Sequence, residues 1–351
     1  MSANQPVRTV SEADFRPDWT PAEKLQFCLN FATLAPSSHN TQPWLFRVLN
    51  DTVELYADRN HALRVVDPHD RELTISCGAA LHHLRTAVRF FGHAEQTTLI
   101  PDPHHPDLLA TVKLGEAKPH DYHDVLLFRA MPDRRTNRGP FKPDPIPTDA
   151  LSKVLQLEDT HTHSVWVHWW DLPNEKHRVV ELVGLADKTQ FADDAFRTEL
   201  AHWLRSNLTE AGDGIPGYSQ GLGVVESYVG PWVVRTFDVG DGTAAKDEKL
   251  ADGSPLLVLI GTDTDTRAAW LAAGQALSRM LLVAQSYGLA ASYLNQPIEV
   301  PEVRPTVAGL AGRTGFPQLL LRLGYPTTVP PLTPRRRLED VMQRLHLPGV
   351  S

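Results

Sequence analysis

The chain has 351 residues, a formal net charge of −8 and 42% hydrophobic residues. That length holds two ordinary domains or one large one, with enough apolar sequence for a sizeable core. The negative charge argues against nonspecific nucleic-acid binding, no run approaches a membrane span, and the N-terminus lacks a basic-then-apolar leader, so a cytoplasmic protein is expected.

Residues 1–18 read as a loose polar arm. A helix over about 21–35 follows, with Thr20 as cap, Pro21 in the first turn and Glu23 closing a capping box. Leu25, Cys28, Leu29 and Ala32 give it an apolar face, and Pro36 is expected to stop it. Ser37, Ser38, Asn40 and Thr41 come next, then Pro43 and the strand-like Trp44–Leu49. Two prolines thus hold a row of hydroxyls, amides and N–H groups as a stiff ledge, suited to a polar ligand with a flat ring. A solvated loop is the plainer reading of such a string taken alone.

Residues 44–49 and 52–57 predict strands joined at Asn50-Asp51. Asp67 and Pro68 then open a long helix with Leu73, Cys77, Leu81, Leu84 and Val88 on its buried stripe. Strands near 95–100 and 107–114 and a helix over 119–131 complete a first half. Cys28 and Cys77 fall on apolar helical faces and read as buried thiols. The pairs His82-His83, His104-His105 and His161/His163 lack partners at metal-ligand spacing, so no metal site is expected.

A second half starts at Pro132. Arg134, Arg135 and Arg138 surround Thr136, a combination that binds phosphate through paired charge-assisted hydrogen bonds, or else forms a solvated basic loop. Thr148 is expected to cap a short helix, His163–Trp170 a strand, and 173–206 helices. Residues 207–252, glycine-containing and aperiodic, read as a long irregular excursion. A strand at Pro255–Gly261, a helix starting at Asp265 or Thr266, and strands at about 289–295 and 318–323 follow, before the basic tail Arg335-Arg336-Arg337. Gly78–Leu84 echoes Gly274–Met280, each in a long helix ending at an aromatic and a glycine. Two divergent copies of one unit are expected, 1–131 and 132–351, although long amphipathic helices also resemble one another by chance.

Read as one string, Pro36-Ser37-Ser38-His39-Asn40-Thr41-Gln42-Pro43-Trp44 resembles the PSSxNxQPW signature of the nitroreductase superfamily. Arg134-Arg135-Thr136-Asn137-Arg138 resembles that family's RRSxR opening, and Leu323–Pro326 with the basic tail resembles its C-terminal strand and phosphate contact. The placing of these motifs, with Glu199–Arg205 and Asn295-Gln296-Pro297, is similar to the Acg-type branch. The resemblance implies an α+β nitroreductase-like fold, with two divergent halves fused as an intrachain pseudo-dimer, acting as a monomer or weak dimer. It implies FMN as cofactor, with Pro36, Ser37, Ser38 and Asn40 near the flavin. Arg134, Arg135, Thr136, Arg138, Arg335 and Arg337 are the expected phosphate-side contacts, with Arg336 pointing elsewhere. It also implies flavin contacts from Gln190 and from backbone groups of Leu294, Asn295 and Gln296. One complete site is expected and a second, lacking both motifs, empty. The activity implied is NAD(P)H-dependent reduction of a nitroaromatic, quinone or related acceptor; the alternative is a flavin-binding protein without turnover that stores or sequesters FMN. The 207–252 excursion covers either the dead site or the live one.

Overall fold

The computed structural model describes residues 10–156 and 164–343. Helix α1, Pro21–Ala32, begins as expected: the Glu23 N–H donates to Thr20 Oγ1 (3.3 Å) and the Thr20 N–H to Glu23 Oε2 (2.8 Å). It ends earlier than the sequence suggested, because Pro36 disfavours helical geometry at the residue before it and the chain unwinds through tighter turns at Leu34 and Ala35. Strands β1 (Trp44–Leu49) and β2 (Thr52–Ala57) meet at Asn50, whose φ of 53° is left-handed. Then come α2 (Arg71–Phe90), β3 (His93–Leu99), β4 (Leu108–Ala117) and α3 (Tyr122–Ala130). Helix α2 starts at Arg71 rather than at Asp67. Asp67 serves it from outside, its carboxylate accepting from the Leu73 N–H at 2.8 Å.

The second half opens with α4 (Thr148–Leu155), in which Thr148 is already helical and caps nothing. It continues with β5 (Val165–Trp170), α5 (Pro173–Ala192), α6 (Asp194–Trp203) and the short β6 (Leu204–Arg205) and β7 (Ile215–Pro216). Next are α7 (Val224–Thr236) and α8 (Gly240–Asp252). The excursion expected to be irregular is thus largely helical. Its apolar residues escaped the periodicity search because Val225, Tyr228 and Trp232 of α7 face outward and Pro231 interrupts the pattern. Strand β8 (Leu256–Thr262), α9 (Arg267–Ser286), β9 (Ala290–Tyr293), α10 (Gln296–Glu299), α11 (Arg304–Leu310), β10 (Phe316–Gly324) and α12 (Leu338–Val341) complete the chain.

The two sheets have one plan. The first runs β1-β2-β4-β3 and the second β5-β8-β10-β9, all pairs antiparallel, with the long helix between the second and third strands in chain order in both. Helices α2 and α9 pack against each other about a pseudo-two-fold axis. His82 Nδ1 meets Ser278 Oγ at 2.9 Å, 196 residues apart, and the same offset carries every residue of α2 onto α9. A Cβ on Gly78 would collide with the Leu271 carbonyl, and one on Gly274 with the Ile75 carbonyl, the reciprocal contact that a two-fold requires. Gly92 and Gly288, also one offset apart, follow the two helices at φ 81° and 72°. One core runs through both halves, from Leu25, Trp44 and Leu81 to Leu277, Met280 and Leu321.

Cys28 and Cys77 are buried, free thiols, and burial pushes the pKa of each up, which disfavours the reactive thiolate. His83 is buried against the Phe31 carbonyl and pushed down to about 3. His161 and His163 lie outside the described residues. Among the described residues no helix is long and apolar enough to cross a membrane, and no group of His, Cys, Asp or Glu could hold a metal ion.

Candidate functional site

A cavity of about 400 Å³ lies where the two halves meet, under the α7–α8 segment. Its first-half wall is the ledge. His39, Asn40 and Gln42 all have positive φ (50°, 55° and 52°), a conformation that costs roughly 1–3 kcal/mol per residue and persists only where neighbours enforce it. The neighbours are identifiable. Ser37 Oγ accepts from the Gln42 N–H (2.9 Å), and the Ser38 hydroxyl donates to Glu72 Oε2 (2.5 Å). The buried Gln42 amide donates to the Gly212 carbonyl (2.8 Å) and accepts from the Arg336 N–H (2.8 Å). Asn40 Nδ2 donates to the carbonyls of Gly214 (3.0 Å) and Pro334 (3.1 Å), and its Oδ1 accepts from Arg335 (3.1 Å). Asn40 lines the cavity, but its side chain ties ledge, excursion and tail together.

The second-half wall carries the arginines. Residues 134–138 are laid along β9: Thr136 bridges to Ala291, and the Asn137 N–H donates to the Ala291 carbonyl (2.9 Å). Arg134 and Arg335 are both buried and both donate to the Leu34 carbonyl, at 3.5 and 3.2 Å. Neither reaches a carboxylate, and the Nε of each has no hydrogen-bond partner among the described residues. Burial lowers both pKa values, with the neighbouring Arg135 adding to it at Arg134 and Arg134 adding to it at Arg335, which falls to about 9; burial lowers that of Arg138 as well. Two buried cations with unfilled N–H groups are costly unless an anion joins them. A phosphate, with its several acceptor oxygens, fits that donor set.

Twelve of the residues singled out in the sequence line this one cavity: Pro36, Ser37, Ser38, Asn40, Arg134, Thr136, Arg138, Gln190, Leu294, Asn295, Gln296 and Arg335. Two do not. Arg135 turns away and donates to the carbonyls of Asp133 (2.9 Å) and Pro330 (3.0 Å). Arg337 is exposed and pairs with Glu339 (3.0 Å) and Asp340 (3.5 Å), because α12 begins at the next residue and its acidic first turn draws the guanidinium outward. Arg336 holds the ledge instead, donating to Gln42 O (2.9 Å) and Asp58 (3.0 Å). At 294–296 the Leu294 N–H is already donated to the Leu320 carbonyl (2.9 Å), so it is not free for a ligand.

Sequence reading missed the carboxylates. Glu72, held by Arg71 (2.9 Å) and Ser38, faces Glu299, which accepts from Gln190 Nε2 (2.6 Å). Burial and the Glu72 charge push the Glu299 pKa well up. Asp187 and Asp247 form a second group. Burial and the neighbouring Asp247 hold the Asp187 pKa up at about 7. The overlooked signals are charges inside apolar patterns: Asp187 on the buried stripe of Val179, Val183 and Ala186, and Arg322 within the run Leu319–Leu323. Residues of the excursion, Ile215, Ser219, Leu222, Val234, Val239 and Thr243 among them, line this same cavity. Tyr218 fastens the segment to the tail, its hydroxyl donating to the Leu332 carbonyl at 2.9 Å.

The chain matches the nitroreductase family model over residues 8–123 and 132–325. Two Mycobacterium tuberculosis H37Rv proteins, Rv3131 and acg, each carry the name "Putative NAD(P)H nitroreductase". The first is 34% identical over 92% of this chain and 92% of its own; the second is 32% identical over 90% and 94%. Among solved structures, the FMN-dependent nitroreductase NfnB from Mycobacterium smegmatis, in complex with NADPH, aligns with a TM-score of 0.41 at 16% identity, covering 63% of this chain and 98% of that one. On the extent of the family match and the identity to these relatives, the chain belongs to the nitroreductase family.

Proposed function

We propose that the protein is an FMN-dependent oxidoreductase that takes electrons from NAD(P)H and passes them to a nitroaromatic, a quinone or a related acceptor. One observation carries this reading: the ledge of the first half and the buried Arg134 and Arg335 of the second, each with an Nε unfilled among the described residues, line a single cavity. Arg134 and Arg335 would hold the FMN phosphate with the Thr136 hydroxyl beside them. Arg138 would add charge further along, and Pro36, Ser37 and Ser38 would flank the ring. When bound, FMN supplies the hydride chemistry; the chain supplies binding, orientation and control of access. Because the family's two-subunit plan is contained in one chain, a monomer or weak dimer in the cytoplasm is the accompanying expectation.

A second reading, flavin storage or sequestration without turnover, is favoured by the α7–α8 segment. Its residues wall the same cavity and would stand between the flavin face and a nicotinamide. The deciding experiment is a visible spectrum of the purified protein, followed by anaerobic NADPH and then NADH. Prompt bleaching supports the oxidoreductase. A flavin that bleaches only with dithionite supports sequestration. No flavin after reconstitution with FMN defeats both.

A further inference from the structure

The wall formed by α5, α8 and α10 has a chemistry that the arginine end lacks. Gly184 has no side chain where Glu248 presses against it, which lets α8 lie close on α5 and brings Asp247 towards Asp187. Asp187 is 1% exposed, yet its Oδ2 has no hydrogen-bond partner among the described residues. Gln296 lies beside both carboxylates. It donates Nε2 to Asp247 Oδ2 (3.0 Å), which fixes its orientation, and its Oε1 is likewise without a partner. Two buried acceptor atoms, on adjacent cavity-lining residues, therefore lack donors. A buried acceptor left without a donor is costly, so a ligand that fills both is strongly selected.

The charges around them decide what kind of donor. Lys246, Arg322 and Arg138 lie around Asp247, while Asp187 faces Asp247 and Glu248. With three cations already around Asp247, the pair does not call for an ammonium. A group with only acceptor atoms, such as a nitro group or a quinone oxygen, would face two acceptors and be rejected. An imide edge offers a single N–H between two carbonyls and would turn those oxygens onto the same acceptors. A neutral, planar amino group has two N–H bonds, one for each acceptor.

We propose that Asp187 and Gln296 form a subsite for a neutral planar amino group of the nucleotide electron donor. This deepens the oxidoreductase reading and rests on it. An NAD(P)H molecule carries two such groups, the nicotinamide carboxamide and the adenine amine. The subsite also orients the acceptor substrate by exclusion, since nitro or quinone oxygens are driven to the arginine side of the cavity.

The test compares probe pairs that differ at the amino group, titrated calorimetrically into the purified protein. Nicotinamide mononucleotide is set against its 3-acetylpyridine analogue, in which a methyl group replaces the amino group without adding charge, and AMP against IMP. In the wild type the amino member of one pair should bind roughly tenfold more tightly, the factor one well-made hydrogen bond supplies. The pair that discriminates identifies the group. Asp187→Leu should bring its two members to within about twofold, while the FMN content stays unchanged. Gln296→Leu, which removes the second acceptor, should also lose the preference and gives an answer if the Asp187 variant does not fold. The proposal is overturned if neither pair discriminates in the wild type, or if the preference survives both variants. Loss of FMN from the variants without any amino preference in the wild type would assign the cluster to the flavin instead, and also overturns it. The donor reading fails separately, as a flavin that neither NADPH nor NADH bleaches.

Discussion

The two halves share a strand plan and a helix register but differ in their connections, most of all between the first two strands. β1 reaches β2 through Asn50 and Asp51; β5 reaches β8 only through residues 171–255, which hold α5 to α8. What was kept is what the two-fold needs. Gly78 and Gly274 each receive the other helix's backbone, so neither can change alone. What diverged is what one cavity needs only once: a ledge from the first half, and arginines with a covering segment from the second. Duplicated folds can lose one of two equivalent sites at no cost to the core, because the core depends on the axis and not on the ligand.

The sharpest way to break this comparison is at the axis. Gly78→Leu and Gly274→Leu should each force α2 and α9 apart and cost about 3 kcal/mol or more, at the upper end of overpacking effects, since backbone rather than a flexible side chain is in the way. Urea unfolding of the two variants should give similar losses. A large loss at one glycine and tolerance at the other would show that the axis is not a true two-fold.

The next largest effects belong to the cavity. If the proposed phosphate site is right, Arg134→Ala and Arg335→Ala should each weaken FMN retention by about 1.5–3 kcal/mol, measured by equilibrium dialysis. Arg135→Ala and Arg337→Ala should leave retention unchanged, since both side chains are turned away. The wild type should hold one FMN per chain. A ratio near two would mean that a second site, without either sequence motif, is still built in space.

These contrasts also mark how far the sequence could be read. Motifs whose chemistry is local were legible: the Thr20–Glu23 box, the Asn50 turn, the ledge and the basic clusters each declare themselves within a few residues. The echo between Gly78 and Gly274 was visible as pattern, but only the packing of α2 on α9 turns it into an axis. The direction a tail arginine faces was not legible. Arg337 departs from its expected role because α12 begins at Leu338, and nothing in a basic triplet announces that boundary. The helices of 207–252 were missed for a similar reason: α7 buries little of its own apolar surface, so it lacks the stripe by which a helix is recognised. Glu72 and Asp187 read as ordinary helix acids until the fold brings Glu299 and Asp247 against them.

A smaller effect compares the segments leading into the two long helices. Ahead of α9, Asp265 accepts from Trp270 (2.6 Å), Gln318 (2.9 Å) and both terminal nitrogens of Arg304 (2.7 and 3.0 Å). One offset earlier, ahead of α2, stands the exposed His69. Burial alone would raise the Asp265 pKa, but these partners hold it down at about 2. Because the folded value lies below the unfolded 3.8, the stabilisation is complete above that pH and is lost as pH falls through about 2. Asp265→Asn should therefore cost about 2 kcal/mol at neutral pH. The gap from wild type should close as unfolding is measured at progressively lower pH. A gap independent of pH would mean that geometry rather than charge carries the contribution.

The smallest expected change bears on the largest functional question. Tyr218→Phe removes one hydroxyl, the one that fastens the covering segment to the tail at Leu332, and should cost only about 0.5–1.5 kcal/mol of stability. The ledge and the arginines keep their contacts, so equilibrium FMN affinity should change little. The rate of FMN release should rise, because opening the segment precedes departure and this bond must break first. If the protein turns over, reduction by NAD(P)H should quicken in parallel, since the donor enters by the same opening. Faster release with no gain in reduction would instead place the segment as a retaining cover, which favours sequestration. Unchanged release would mean that the segment is held by its own packing, through Phe191, Phe196 and Val239, and not by the tail.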